Sequence, residues 1–120
     1  MNEVRLPWPA KELSPNARCH WAMKAAAAKQ YRADCFYLAK QAKVKAKWEG
    51  PIHVSLLFCA PDLRHRDLDN CLSSAKALCD GLADALGVND SRFSLSLAMG
   101  EPHDGGAVYA TISQPLVRVG

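Results

Sequence analysis

The sequence predicts an α/β (α+β) fold of two layers, in which two main helices cover one small mixed β-sheet. Two segments carry apolar residues at helical spacing, and four shorter segments alternate apolar with polar residues as strands do. They follow the order β–α–β–α–β–β, which favours helices packed on a single sheet. A chain of 120 residues, 49% of them hydrophobic, can bury one core but not two, so residues 1–120 are expected to form one domain.

The first half of the chain predicts a short strand and a long helix. Val4–Leu6 alternates and is followed by two prolines, which predicts an edge strand because proline cannot donate to a β-ladder. The helical pattern then runs from about Trp21 to about Lys47 and places Trp21 on its apolar side. It includes four consecutive alanines, the residue of highest helix propensity.

The second half predicts three strands and the second helix. Ile52–Cys59 alternates, and residues 68–86 carry apolar side chains at steps of three and four. Phe93–Met99 and Val108–Ile112 alternate again. Between these two strands, Glu101–Gly106 holds proline and glycine residues and predicts a hairpin loop.

Composition and charge limit the classes of protein to which the chain can belong. No apolar run approaches the roughly 20 residues of a membrane span, and the N-terminus lacks a hydrophobic signal core, so we expect a cytoplasmic protein without a membrane partner. The five cysteines show no C-x-x-C spacing and fit reduced, mostly buried thiols rather than a zinc site.

The net charge of +3 is divided unevenly along the chain. Residues 1–50 hold ten Lys and Arg against four Asp and Glu, whereas residues 51–120 hold five against eight. A basic half beside an acidic half suits a nuclease, because phosphates must be attracted toward carboxylates that hold a metal. An ordinary solvated lysine helix would explain the same charge, so charge alone leaves both interpretations open.

The residues that could carry chemistry are concentrated in residues 61–90. Two carboxylates, Asp67 and Asp69, come directly before and within the start of the second helical pattern. Mg²⁺ takes oxygen ligands, often one or two carboxylates with water and substrate phosphate, so a metal-dependent phosphodiester site could be built here. The same aspartates would also suit a helix N-terminus as capping residues. One polar stripe continues along the helix at steps of four, three and four: Asp69, Ser73, Lys76 and Asp80.

Three motifs carry a resemblance to a known family. They are the opening LPWPAKELSPNARCHW, the run RDLDN at residues 66–70, and Lys76 followed by LCDGLADALGVND. Together they resemble the RusA family of Holliday-junction resolvases, especially its phage-type members, over most of the chain. The resemblance implies one RusA-like nuclease domain, a small homodimer that cuts branched DNA with Mg²⁺ or Mn²⁺ and needs no organic cofactor.

The resemblance also assigns roles to individual residues. It places the catalytic carboxylates, which would hold the metal, at Asp67, Asp69 and Asp90, and the catalytic lysine at Lys76. Many relatives have two aspartates where this chain has Asn89 and Asp90, so the third carboxylate has no neighbour that could replace it.

Further basic residues are expected to bind DNA phosphates. Arg64 and Arg66 come just before the carboxylates, and a guanidinium can bond a phosphate through two nitrogens. Arg18 and His20 lie in the loop predicted before the first helix and would be exposed donors. With Lys76 they form the predicted nucleic-acid-binding set, and selectivity would then come from the shape of the junction.

The leading hypothesis is a metal-dependent endonuclease that resolves Holliday junctions by paired symmetric nicks in DNA recombination and repair. Two alternatives remain: a catalytically inactive module that binds junctions or other DNA, and a small regulator whose aspartates only cap a helix. Cleavage of a four-way junction with Mg²⁺, compared with EDTA, separates the first two. Stabilisation of the fold by Mg²⁺ or Mn²⁺ would argue against the third.

The position of Asp90 poses a geometric problem. A helix over residues 68–86 is about 28 Å long, so a residue shortly after its end should not reach Asp67 and Asp69 of the same chain. A broken helix, an Asp90 that acts away from the pair, or an Asp90 that completes the pair of a partner chain would each resolve the conflict. We favour the shared site, because a twofold dimer would also place two sites symmetrically.

Overall fold

The computed structural model describes residues 2–15, 17–63 and 68–115, the last range without the side chains of residues 68–70. A mixed four-stranded β-sheet forms one layer and two long helices form the other. The predicted two-layer α/β fold is therefore confirmed. None of the helices in the described ranges is long and apolar enough to cross a membrane.

The sheet has the strand order β1-β4-β2-β3. Strand β4 pairs antiparallel with both β1 and β2, whereas β2 and β3 are parallel. The edge strand predicted before the two prolines near the start of the chain is thus found at one edge of the described sheet. The strands have these bounds: β1 Glu3–Leu6, β2 Ile52–Cys59, β3 Phe93–Met99 and β4 Ala107–Ser113.

The two helices are α1, Trp21–Ala42, and α2, Leu68–Leu86. Helix α1 ends earlier than the predicted Lys47, because Lys43 adopts a left-handed conformation with φ of 58°. The amide of Val44 donates back to the carbonyl oxygen of Ala39 (3.4 Å), and Val44 turns into the core. This arrangement is a Schellman motif. Burial of the Val44 side chain stabilises the chain more than a further turn of helix would.

The connection between β3 and β4 is not the predicted hairpin. These strands lie on opposite sides of β2, and the connection crosses the end of β2. There the amide of Gly100 donates to the carbonyl oxygen of Phe58 (2.9 Å), and that of His103 donates to Ala60 (2.8 Å). Alternation and turn residues predict strands but not their partners, and here α2 supplies the crossover that joins parallel β2 and β3.

Both helices begin at the same end of the sheet, the end where β2 finishes. Helix α2 lies between parallel strands in the chain, so it runs opposite to β2. Helix α1 runs opposite to β1: the amide of Lys45 donates to Asn2 near the start of β1 (3.0 Å), and the hydroxyl of Tyr31 donates to Pro7 just after it (2.8 Å). Because β1 and β2 point the same way, the first turns of α1 and α2 lie at one end of the molecule.

A close contact between the helices fixes their spacing. A Cβ atom added at Gly81 of α2 would lie 2.5 Å from the carbonyl oxygen of Arg32 and 2.8 Å from the Cβ of Cys35 on α1. Glycine therefore allows the two backbones to touch. The fully buried Leu78 and Leu82 flank this point and face the sheet.

The cysteines form no disulfides, and four of the five are buried. Burial raises the pKa of the Cys35 and Cys79 thiols to about 12. Both side chains are therefore neutral apolar groups of the core.

Candidate functional site

One residue of the predicted carboxylate pair, Asp69, has its backbone at the start of α2. Helix α2 starts at Leu68, which places the backbone of Asp69 in the first turn, as the sequence predicted. Arg64, Arg66 and Asp67, together with the side chain of Asp69, lie outside the described residues. Their roles therefore stay predictions.

Lys76 lies between two carboxylates. Its Nζ donates to Oδ1 of Asp80 at 2.7 Å and to Oδ2 of Asp90 at 3.1 Å. The hydrogen bonds to Asp80 and then to Asp90 raise the pKa of Lys76, and the bond from Lys76 lowers the pKa of Asp90. The lysine side chain is still 73% exposed, so its charge remains accessible to a ligand.

Two successive turns carry Asp90 back along the helix. Gly87, with φ of 68°, ends α2, and the amide of Val88 donates to a carbonyl oxygen of the last turn (3.1 Å). Asn89 then caps a short 3₁₀ turn, Asp90–Arg92, by accepting from the amide of Ser91 (2.8 Å). Arg92 anchors this turn through two carbonyl oxygens of the segment before β2, each at 2.8 Å.

Helix α1 contributes one arginine to the same charged group. Arg32 binds Asp84 through two bonds of 2.7 and 2.9 Å, and its third nitrogen lies 3.9 Å from Asp80. The bonds from Arg32 lower the pKa of Asp84. Two cations and three carboxylates thus form a continuous network along α2: Arg32, Lys76, Asp80, Asp84 and Asp90.

The sequence analysis assigned no role to Asp80 or Arg32. Asp80 was visible as the next residue of the polar stripe, four positions after Lys76, where opposite charges meet on a helix. Arg32 offered no local signal, since only the packing of α1 on α2 brings it there.

The structure excludes one of the three explanations for the distance between Asp90 and the start of α2. Helix α2 runs unbroken from Leu68 to Leu86, so a broken helix is not the solution. Asp90 reaches Lys76, which lies two turns, or about 10 Å along the axis, from Asp69 on the same stripe. Lys76 and Asp90, which the resemblance placed in one site, are therefore neighbours in one chain.

A comparison with protein families places the chain in a known family. The family model described as Endodeoxyribonuclease RusA matches residues 11–109, a range that includes every predicted site residue. This chain belongs to the RusA family.

A relative supports the extent of the match. A protein of Xylella fastidiosa (strain Temecula1 / ATCC 700964), described as an uncharacterized protein, is 39% identical over 117 residues. The similar region covers 94% of this chain and 76% of that protein. Membership of the RusA family supports endodeoxyribonuclease activity, that is, hydrolysis of phosphodiester bonds within DNA, and the resolution of Holliday junctions.

The described acidic residues near Lys76 are Asp80 and Asp90. Within the described ranges, no three His, Cys, Asp or Glu side chains are grouped to hold a metal ion. The carboxylates of Asp80 and Asp90, however, converge on one positive charge, that of Lys76. The metal ligands predicted from the sequence, Asp67, Asp69 and Asp90, are all carboxylates, and oxygen is the donor type that Mg²⁺ and Mn²⁺ prefer.

Arg18 and His20, which were predicted to bind phosphates, are both exposed in the segment before α1. His20 is also the N-cap of α1, because its Nδ1 accepts from the amide of Ala22 (3.1 Å). The same N-terminal segment contacts α2 where the hydroxyl of Ser73 donates to the carbonyl oxygen of Leu13 (3.0 Å). This contact lies about one turn from Asp69.

Proposed function

We propose that this RusA-family chain is a Mg²⁺- or Mn²⁺-dependent endonuclease that resolves four-way DNA junctions as a homodimer. Paired symmetric nicks would then serve DNA recombination and repair. The observation that carries the proposal is Lys76, exposed and held between Asp80 and Asp90 on the stripe that begins at Asp69.

The carboxylates would hold the metal. Asp67, Asp69 and Asp90 are the proposed ligands, and Asp90 is kept ionised by Lys76, which lowers its pKa. When bound, the ion supplies a lowered pKa for the attacking water and a positive charge opposite the phosphate.

Lys76 would act on the scissile phosphate. A fixed ammonium group stabilises negative charge that develops on the phosphate or on the leaving oxygen. Its bonds to Asp80 and Asp90 hold that charge in place before the substrate arrives, so little reorganisation is needed.

The basic residues would place the DNA. Arg64 and Arg66 are the proposed partners of phosphates next to the cleaved one, and Arg18 and His20 of phosphates further along. These contacts carry no base sequence. Preference for a junction would therefore come from the directions in which its arms leave the branch point.

Cleavage of a synthetic four-way junction tests the proposal. We expect two symmetric nicks with Mg²⁺ or Mn²⁺, no cleavage with EDTA, and little cleavage of a linear duplex of matching sequence. Asp69→Asn should abolish cleavage yet bind the junction as well as the wild type or better, because the amide removes a metal ligand and repels phosphate less.

Asp104→Asn, an exposed carboxylate in the loop before β4, is the matched control and should cut normally. Equal cleavage with EDTA, or near wild-type cleavage by Asp69→Asn, would contradict the metal-ligand role. Binding of junctions without cleavage under any divalent metal would instead favour the inactive junction-binding alternative.

A further inference from the structure

The first turn of α1 exposes a large aromatic side chain. Trp21 is 74% exposed, although its place in the helical pattern predicted burial. The pattern was misleading because the first buried residue of α1 is Tyr31, so the helix begins well before the core that it covers. An indole exposed to this extent gains nothing from the fold itself, since the transfer of an apolar ring into a core requires its burial.

A second ring lies beside the indole. The centroids of the His20 and Trp21 rings are 5.4 Å apart, and their planes are tilted by 34°. His20 is held in place by the bond from the amide of Ala22 to Nδ1. Because Nδ1 accepts, the neutral ring carries its proton on Nε2, which leaves a donor for a phosphate or a base edge.

Basic side chains lie close to the His20 ring. An open cleft of ≈ 620 Å³ is lined by His20 and by the exposed Arg18 and Lys11, with one carboxylate, Glu12, on the same lining. The lining also includes Met23, which is 55% exposed and adds an apolar contact. Aromatic rings bordered by cations are the combination with which proteins bind unpaired nucleotides, because bases stack on the rings and phosphates pair with the cations.

The position of these rings relative to the site favours a nucleic-acid ligand over a protein. Trp21 begins α1 at the end of the molecule where α2 also begins. The segment before it is bonded to α2 through Leu13 and Ser73, about one turn from Asp69. DNA that reaches the first turn of α2 therefore passes close to the first turn of α1.

We propose that Trp21, with His20 beside it, is a stacking surface for a nucleobase exposed at the branch point of a DNA junction. When the arms of a junction separate, the base pairs at the branch point lose one stacking neighbour, so a base there gives up less stacking energy when it contacts a protein ring. Arg18 binds the adjoining phosphate. This inference rests on the proposed junction-resolving function and names the part of the junction that the N-terminal segment recognises.

Binding measurements with Trp21→Ala and Trp21→Phe test the inference. We expect Trp21→Ala to weaken junction binding about tenfold while duplex binding hardly changes, and Trp21→Phe to retain most of the affinity. Tyr37→Ala is the matched control, because Tyr37 is a 66% exposed aromatic residue further along α1 and should have no effect. In a junction that carries 2-aminopurine at the branch point, the wild type should quench the fluorescence of this base more than Trp21→Ala does.

The possible results separate this inference from the function on which it rests. Unchanged junction binding by Trp21→Ala, or equal loss for junction and duplex, overturns the stacking site even if the wild type resolves junctions. A change in oligomeric state of Trp21→Ala in light scattering would make Trp21 a subunit contact and would overturn it too. Failure of the wild type to prefer junctions overturns both proposals.

Discussion

Lys76 is an exposed lysine that two carboxylates hold in place. Asp80 comes from the next turn of α2, and Asp90 comes from the 3₁₀ turn after the helix. The bonds to both raise the pKa of Lys76, so it stays protonated at neutral and moderately alkaline pH. A held, charged and exposed ammonium group suits a catalytic role better than one of many mobile phosphate contacts.

We expect Lys76→Ala to lower the single-turnover cleavage rate by about a hundredfold, because a preorganised charge near the reacting phosphate is lost. Junction affinity should change much less, since one phosphate contact among many adds little to binding. Lys29→Ala, which removes an exposed lysine of α1, is the control for net charge. A loss of affinity as large as the loss of rate would place Lys76 in the general DNA-binding surface instead.

Asp80 is expected to position Lys76 rather than to touch the substrate. Asp80→Asn should slow cleavage about tenfold or more at saturating DNA, because a misplaced catalytic group loses much of its effect, and should leave junction affinity nearly unchanged. Asp80→Glu should restore part of the rate. Asp84→Asn provides the control, because Asp84 contacts Arg32 and has no bond to Lys76. If Asp80→Asn and Asp84→Asn slowed cleavage equally, Asp80 would contribute to helix packing and would not position Lys76.

At the scale of elements, the crossing of α1 and α2 holds the charged network together. Gly81 brings the two backbones into contact, and this contact places Arg32 beside Asp80 and Asp84. The crossing therefore supports the site as well as the core.

Gly81→Ala tests that crossing. Alanine has the higher helix propensity by about 1 kcal/mol, but its methyl group would lie 2.5 Å from the carbonyl oxygen of Arg32 and force the helices apart. We expect a net loss of about 1–3 kcal/mol in the free energy of unfolding, measured by urea denaturation. An increase in stability would mean that the helices are not in contact at this glycine.

The sequence predicted elements better than their ends and partners. Residues 52–59, 68–86 and 93–99 were each assigned with the observed bounds, because every one is a single amphipathic unit whose pattern is local. The predicted end of α1 was wrong, because the observed end depends on the burial of Val44 in the core, which the local sequence pattern does not describe. The predicted hairpin of β3 and β4 was wrong, because the α2 crossover makes β3 pair with β2 instead.

Prediction of the site met a similar limit. The resemblance brought Lys76 and Asp90 together before any geometry was known, and the structure makes them neighbours. It gave no role to Asp80, which binds Lys76 within α2, or to Arg32, which reaches Asp80 and Asp84 through the packing of α1 on α2. The exposure of Trp21 was missed because helical spacing does not tell how far a helix extends beyond its core.

At the scale of the whole molecule, the position of Asp90 bears on whether one chain or two chains form each site. Asp90 bonds to Lys76 of its own chain, about two turns from Asp69. Lys76 and Asp90 also line an open groove of ≈ 290 Å³ with the exposed Leu72 and Leu95. A second copy could complete the site only if its own first turn of α2 approached this groove across a twofold axis.

Mixing inactive subunits distinguishes the two arrangements. If sites are shared, mixed dimers of Asp69→Asn and Asp90→Asn should contain one intact site and nick one strand of a junction. Each variant alone should be inactive, and exchange of subunits can be followed with two fluorescent labels. Absence of nicking despite complete exchange would show that Asp90 serves the site of its own chain.

The pairing of β1 with β4 has a consequence for the order in which the chain folds. Among the described strands, β1 pairs with β4 alone, so the first strand can join the sheet only after the last described strand is in place. Closing so long a loop is costly in entropy, and we expect it to follow formation of the β2–α2–β3 unit. Val4→Ala, at a buried position of β1, should then accelerate unfolding and hardly alter the folding rate, whereas Leu78→Ala in α2 should slow folding. Stopped-flow chevron plots of the two variants measure this, and slower folding of Val4→Ala would mean that β1 docks before the rate-limiting step.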